Sequence, residues 1–234
     1  MKYNKILIKL SGEALQGSRQ SGIDPEVAQF VASEIKEAQD LGAKVAVVVG
    51  GGNIYRGAES FEKDGIREET SHWMGMLAIC INCLALSDLF KSFGVENHAL
   101  SALGQVGDMG SYSVSEGKKT LDQGKVLLLS GGEGKPFRSS DSGAATRAKE
   151  LDMEVIFKMT KVDGVYDSDP FVNPNAKKFS AISFDEVLER DLKVMDRGAF
   201  ETCKENGISI VVFRLEKGNI RKAVMGQEIG TVVK

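Results

Sequence analysis

Short runs rich in apolar and β-branched residues, at 5–9, 44–49, 97–100, 125–129, 154–157 and 209–213, alternate along this chain with longer stretches of helical apolar spacing. Strands that follow one another through helices are joined by crossovers, and right-handed crossovers lay them parallel, with helices on both faces. The stretch 25–41 carries the helical spacing clearly: Asp24 stands where an N-cap belongs, Pro25 opens the first turn and Gly42 follows the end. The expectation is an α/β fold, a three-layer sandwich with a central, mostly parallel sheet.

A chain of 234 residues with 42% hydrophobic content can bury one substantial core, so residues 1–234 are read as a single domain. The formal net charge of −3 withholds the broad positive field that sequence-independent binding to polymeric nucleic acid requires. Lys5 and Lys9 interrupt the first apolar run, leaving no signal-peptide core, and the apolar stretch from Met74 to Leu86 contains Asn82 and is short for a bilayer span. A cytoplasmic protein without membrane contact is expected. Cys80 and Cys83 form a CxxC, but no second pair stands at zinc-ligand spacing, so they are read as buried small side chains.

In sheets of this kind ligands sit beyond the carboxyl ends of the strands. Four loops there are unusual. The first strand runs into Lys9-Leu10-Ser11-Gly12, an ammonium beside a glycine turn. The second is followed by Gly50-Gly51-Gly52-Asn53 and then Arg56-Gly57; bare backbone can close on phosphate oxygens, and a guanidinium can grip them in bidentate fashion. The fourth leads to the stretch from Ser130 to Asp141, with glycine amides, hydroxyls, Lys135 and Arg138, and then a helix start that Ser140 or Asp141 could cap. The fifth leads to Thr160, Tyr166, Asp167 and Asp169, which resemble a shelf for a nucleoside.

Familiar signatures fail on these loops. Tyr55 occupies the third-glycine position of a dinucleotide fingerprint, while Leu129 and Pro136 occupy the first-glycine and Ser/Thr positions of a P-loop. Asp167 and Asp169 lack the further ligands and terminal glutamate of a calcium-binding loop.

The order and spacing of Lys-Leu-Ser-Gly-Glu-Ala-Leu-Gln-Gly at 9–17, Gly-Gly-Gly-Asn at 50–53, Met-Gly-Met-Leu-Ala at 74–78, Thr-Lys-Val-Asp-Gly-Val-Tyr at 160–166 and Leu-Lys-Val-Met-Asp at 192–196 resemble the amino acid kinase superfamily, within it the bacterial uridylate kinases. The resemblance runs from residue 5 to the end. It implies the amino acid kinase fold, an acceptor-side lobe at about 1–150 and an ATP-side lobe at 151–234, and transfer of phosphate from ATP to UMP. Lys9, Ser11, Gly12 and Gly52 would meet the ATP phosphates; Thr160, Tyr166 and Asp169 would hold its nucleoside. Gly51, Arg56, His72, Glu133, Gly134, Lys135, Pro136, Phe137, Arg138, Ser139 and Ser140 would face UMP. Lys9, Asp141 and Asp196 would be catalytic, with Asp196 orienting Lys9. Mg²⁺ would be held through nucleotide phosphates with Asp141 nearby, and the resemblance further implies a homohexamer with GTP as activator and UTP as inhibitor.

The sequence departs from that pattern around the acceptor. His72 stands where the family usually has an aspartate, and Glu133, Lys135 and Arg138 replace residues of Gly-Thr-Gly-Asn-Pro-Phe-Phe-Thr-Thr-Asp. A charge buried there needs a partner, so Glu133 and Lys135 are expected to pair with each other or to meet a different base. Kinases of another acceptor, and a nucleotide-binding regulatory or storage protein, are the alternative readings.

Overall fold

The computed structural model describes residues 1–56, 61–62 and 65–234; Gly57 of the second loop lies outside them. Nine strands form one sheet: β1 (Lys5–Leu10), β2 (Lys44–Val49), β3 (Asn97–Ser101), β4 (Gly110–Ser111), β5 (Val126–Ser130), β6 (Val155–Thr160), β7 (Ala181–Ile182), β8 (Ser209–Arg214) and β9 (Thr231–Val233). Their order is β4-β3-β5-β2-β1-β6-β8-β9-β7, parallel throughout except for β8 against β9. The six expected strands are all present within a residue or a few of their expected ends. The three others are two or three residues long, too short to show any periodicity.

The described helices are α1 (Gly12–Gln16), α2 (Pro25–Asp40), α3 (Glu68–Ser92), α4 (Val114–Asp122), α5 (Ser140–Glu150), α6 (Phe184–Glu189), α7 (Arg197–Glu205) and α8 (Asn219–Met225). Val31 and Ile35 of α2, Cys83, Leu86 and Phe90 of α3, and Ile220 of α8 pack on one face of the sheet. Leu121 of α4, Ala145 and Ala148 of α5, Val187 of α6 and Phe200 of α7 pack on the other. These are the three layers that the alternation of strand and helix requires. Asp24 caps α2 as expected, accepting from the Glu26 N–H.

Helix α3 corrects one expectation. The apolar run at 74–86 is only the middle of a 25-residue helix, which by length and mean hydropathy, 1.7 over 18 residues, could cross a bilayer. It serves here as a core helix: Met76, Ile79, Cys83, Leu86 and Phe90 are buried, and Asn82, fully buried, is satisfied by hydrogen bonds. Its far side leaves Trp73, Met74, Leu77 and Ile81 exposed. Cys80 and Cys83 are buried thiols, and burial pushes Cys83 up to about 12, which leaves it protonated and unreactive.

Candidate active site

At the carboxyl ends of β1 and β2 lies a cleft of about 670 Å³, lined by Lys9, Ser11, Gly12, the three glycines at 50–52, Arg56, His72, the residues from Phe137 to Ser140, and Asp196. Sequence reasoning placed most of its candidates on these loops, and the fold brings them to one opening.

Behind the lining, and reaching it through Lys9, lies a charge cluster. Lys9 and Lys158 are register partners on the parallel pair β1–β6, so their side chains leave the same face of the sheet as neighbours. Two adjacent ammonium groups, both nearly buried, repel each other unless a counter-charge joins them. Asp141, in the first turn of α5, supplies it: its Oδ1 lies 2.7 Å from both Nζ atoms. Burial alone pushes the Asp141 carboxyl up, but the two lysines outweigh it and hold the group below its ordinary value. Lys158 is lowered too, which for a lysine favours the neutral form. Burial first, and then the Lys9 charge, bring it from the ordinary 10.5 down to about 8, against the pull of Asp141.

The Asp141 carboxylate is available for this role because Ser139, and neither Ser140 nor Asp141, caps α5; its hydroxyl accepts from the Ser142 N–H at 3.0 Å. The geometry also corrects the expected partner of Lys9. That partner is Asp141 and not Asp196, which starts α7, lines the cleft and accepts no capping hydrogen bond.

The wall is backbone. A Cβ on Gly12 would lie 2.6–2.7 Å from Asn53 Oδ1, the Gly50 carbonyl and the Gly52 nitrogen, and one on Gly51 would lie 2.8 Å from the Gly75 carbonyl of α3. Glycine is required at both positions by close approach. Asn82 ties the loop down from α3: its Nδ2 donates to the Gly50 carbonyl at 2.7 Å, and its Oδ1 accepts from Asn53 Nδ2 at 2.9 Å. Ser11 caps α1, its hydroxyl accepting from the Ala14 N–H.

Glu13, also on α1, forms ion pairs with Arg56 and, at 3.3 Å, with Lys161. His72 has Glu68 at 3.8 Å and the Phe137 ring at 4.7 Å between centroids. Glu133 lies 3.7 Å from Arg138, which replaces the expected pairing with Lys135. Glu133, Gly134, Lys135 and Pro136 stand outside the cleft lining, on the inner part of the same loop. Thr160, the last residue of β6, and Tyr166 and Asp169 on the loop after it stand outside the cleft lining. The Thr160 hydroxyl bonds the Val162 backbone, the Tyr166 hydroxyl donates to Asp163 at 2.6 Å, and Asp169 accepts from the Phe171 N–H.

Lys158, Asn82 and Glu13 were not among the sequence candidates. The one signal for Asn82 was a polar residue inside an apolar run. Lys158 acquires its meaning from strand register, which no local motif displays.

Cations in the cluster and bare backbone on the wall suit phosphate oxygens, which defines the class of protein as an α/β phosphotransferase. The chain belongs to the amino acid kinase family, whose family model matches residues 4–214. Among solved structures it is similar to UMP kinase from Ureaplasma parvum, at 35% identity and a TM-score of 0.92 over 100% of both chains. UMP kinase from Bacillus anthracis matches at 30% identity and a TM-score of 0.96, over 100% of this chain and 97% of that one. Uridylate kinase from Archaeoglobus fulgidus matches at 25% identity and 0.79, over 98% and 99%.

The depressed Lys158 makes a prediction about pH. In the substrate-free enzyme this lysine loses its proton as pH rises through about 8. The profile of kcat/KM, which reports the free enzyme, is therefore expected to fall above pH about 8. In Lys158→Arg the guanidinium stays charged, so the fall should move above pH about 10. An unchanged alkaline limb in that variant would remove Lys158 from the chemistry. For stability the sign is opposite: the folded state binds this proton more weakly, so the Lys158 contribution rises with pH between about 8 and 10.5.

Proposed function

We propose that this protein transfers the γ-phosphoryl group of ATP to the phosphate of UMP, giving ADP and UDP. The observation that carries the reading is the Lys9–Asp141–Lys158 cluster, whose Lys9 lines a glycine-walled cleft. A UMP phosphate oxygen attacks the γ-phosphorus in line. A new P–O bond forms while the bond to the β,γ-bridging oxygen breaks, and ADP leaves with that electron pair. No general base is needed, because the attacking phosphate is already largely ionised. Lys9 and Lys158 stabilise charge on the equatorial oxygens, the amides around Gly12 and Gly52 hold the donor phosphates, and Asp141 keeps both lysines aimed.

Arg56, Gly51, His72 and the segment from Glu133 to Ser140 form the acceptor side in this reading, and Thr160, Tyr166 and Asp169 the nucleoside shelf for ATP. An acceptor lobe at about 1–150 and an ATP lobe at 151–234 belong to this reading, supported by a strand order with β1–β5 on one side of the β1–β6 pair and β6–β9 on the other. Mg²⁺ held through the ATP phosphates would neutralise charge on them. Asp196, lining the cleft without a capping bond, and Asp141 are the carboxylates that fit it.

A homohexamer is part of the same reading, supported by the exposed apolar side of α3 at Trp73, Met74, Leu77 and Ile81. Activation by GTP, inhibition by UTP and a cytoplasmic location rest on the resemblance to uridylate kinases.

The test is coupled ADP release with Mg-ATP and, separately, UMP, CMP, dUMP, AMP and GMP. Turnover with UMP is expected to exceed the others by about a hundredfold or more, inside the roughly 10⁴–10⁵ that hydrogen-bond readout of a substrate group can reach. No turnover with any nucleotide would remove the assignment.

A further inference from the structure

The loop from Gly131 to Arg138 has an unusual backbone. Gly131, Gly132, Gly134 and Phe137 all hold positive φ, at 71°, 60°, 73° and 61°. The glycines take such angles freely, but Phe137 does not, and its conformation persists only where surrounding contacts fix the loop. Its outer part, from Phe137, runs on to Ser140 along the cleft, while its inner part has, among the described residues, one long-range hydrogen bond to a charged side chain. That side chain is Arg147 of α5.

Arg147 is 6% exposed, and a desolvated guanidinium must have its charge answered and its donors filled. Three partners fix it. Nη1 donates to Glu150 Oε2 at 2.6 Å, the guanidinium carbon lies 4.0 Å from the centre of the Tyr112 ring, and Nη2 donates to the Gly132 carbonyl at 3.0 Å. The Tyr112 hydroxyl donates to the same Glu150 oxygen at 2.7 Å. Ring and carboxylate thus set the plane of the guanidinium, and that plane aims one N–H at the loop. Gly143, two residues beyond Asp141, completes the contact: a Cβ there would sit 3.7 Å from the Gly132 Cα.

We propose that Arg147 is a positioning residue for the acceptor: it locks the 131–138 loop to the helix that carries Asp141, and so fixes where the acceptor nucleotide lies relative to the charge cluster. This rests on the proposed function, because that loop is the acceptor wall only in that reading. The inference assigns a role to buried Arg147 and its half-buried partners Glu150 and Tyr112, none of which lines the cleft.

The experiment compares wild type with Arg147→Met, Arg147→Lys and Tyr112→Phe, measuring KM for each nucleotide, kcat, and amide hydrogen exchange. Loss of one charge-assisted hydrogen bond is expected to raise KM for UMP by about tenfold in Arg147→Met, with KM for ATP within about twofold. Lysine can still reach the carbonyl but lacks the planar fork, so Arg147→Lys should recover part of the loss, to about threefold. Amides from Gly131 to Ser139 should exchange faster in Arg147→Met, with those from Thr160 to Asp169 unchanged.

Equal changes in both KM values, or none, in a folded variant would overturn the proposal. Should Arg147→Met fail to fold, Arg147→Lys and Tyr112→Phe decide by the same KM split. A wild-type protein with no UMP turnover would overturn the proposed function, and the exchange pattern would then decide alone whether Arg147 holds the loop.

Discussion

Replacing Lys9 by alanine is expected to lower kcat by about 10²–10³, the cost of removing one preorganised charge from a site where negative charge moves during reaction. The alanine variant should still fold, because Asp141 keeps Lys158 at 2.7 Å and the carboxylate is not left unpaired. Asp141→Asn is the harsher change. It leaves two nearly buried ammonium groups side by side with no anion, so it should lower kcat by a similar factor and also destabilise by about 3 kcal/mol. Thermal melts and steady-state kinetics on both variants separate the two effects. Activity within tenfold of wild type in both would remove this cluster from the mechanism. Stability rises with pH on the acid side as well: Asp141 is held below its ordinary value, so its contribution is present above the unfolded-state pKa and is lost as pH falls through the folded one.

Gly12→Ala is expected to have the second large effect, and for a steric reason alone. The added methyl would sit within 2.7 Å of the Gly50 carbonyl and the Gly52 nitrogen, both main-chain atoms that cannot rotate away. The loop at 50–52 must shift, and Asn82 resists because its amide holds Gly50. Overpacking of this kind costs about 1–3 kcal/mol. For a chain of this size that lowers Tm by roughly 3–10 °C. Displacement of the phosphate-facing amides should lower kcat/KM by about a hundredfold. Gly198→Ala is the control: a Cβ there meets nothing within 4 Å, and inside α7 alanine should be neutral or stabilising by about 0.5–1 kcal/mol. If the two variants behaved alike, close approach at Gly12 would not be the reason for its glycine.

The layers of this fold were legible because apolar periodicity is written locally. The strand at 44–49 and the helix beginning at Pro25 coincide with their expected positions, since a cap, a proline and a glycine mark where the regular hydrogen bonding starts and stops. The apolar stretch at 74–86 understates helix α3 because the polar turns at its ends, Glu68 to Ser71 and Ser87 to Asp88, continue the same helix.

The cleft was legible as far as single loops could show it: Lys9, the triple glycine and Arg56 stand where they were sought. What no loop could show was pairing between loops. Lys158 became part of the cluster through its register with Lys9, and Asp141 displaced Asp196 as the partner of Lys9 because Ser139 took over the cap. The charges at Glu133 and Lys135 were noticed, but the turn at Gly134 sends Glu133 toward Arg138.

The β1–β6 pairing has a consequence for how the molecule is made. β1 pairs with β2 on one side, about 40 residues later in the chain, but its other neighbour, β6, begins at Val155. At about 5–20 residues per second, a ribosome needs several seconds or more to supply it. Through that interval β1 presents an open, apolar edge, the kind of surface on which nascent chains aggregate. The lysine pair is completed only when β6 docks. Closure of that edge and assembly of the charge cluster are therefore a single late event, and a nascent chain stalled before Lys158 would be both sticky and inert.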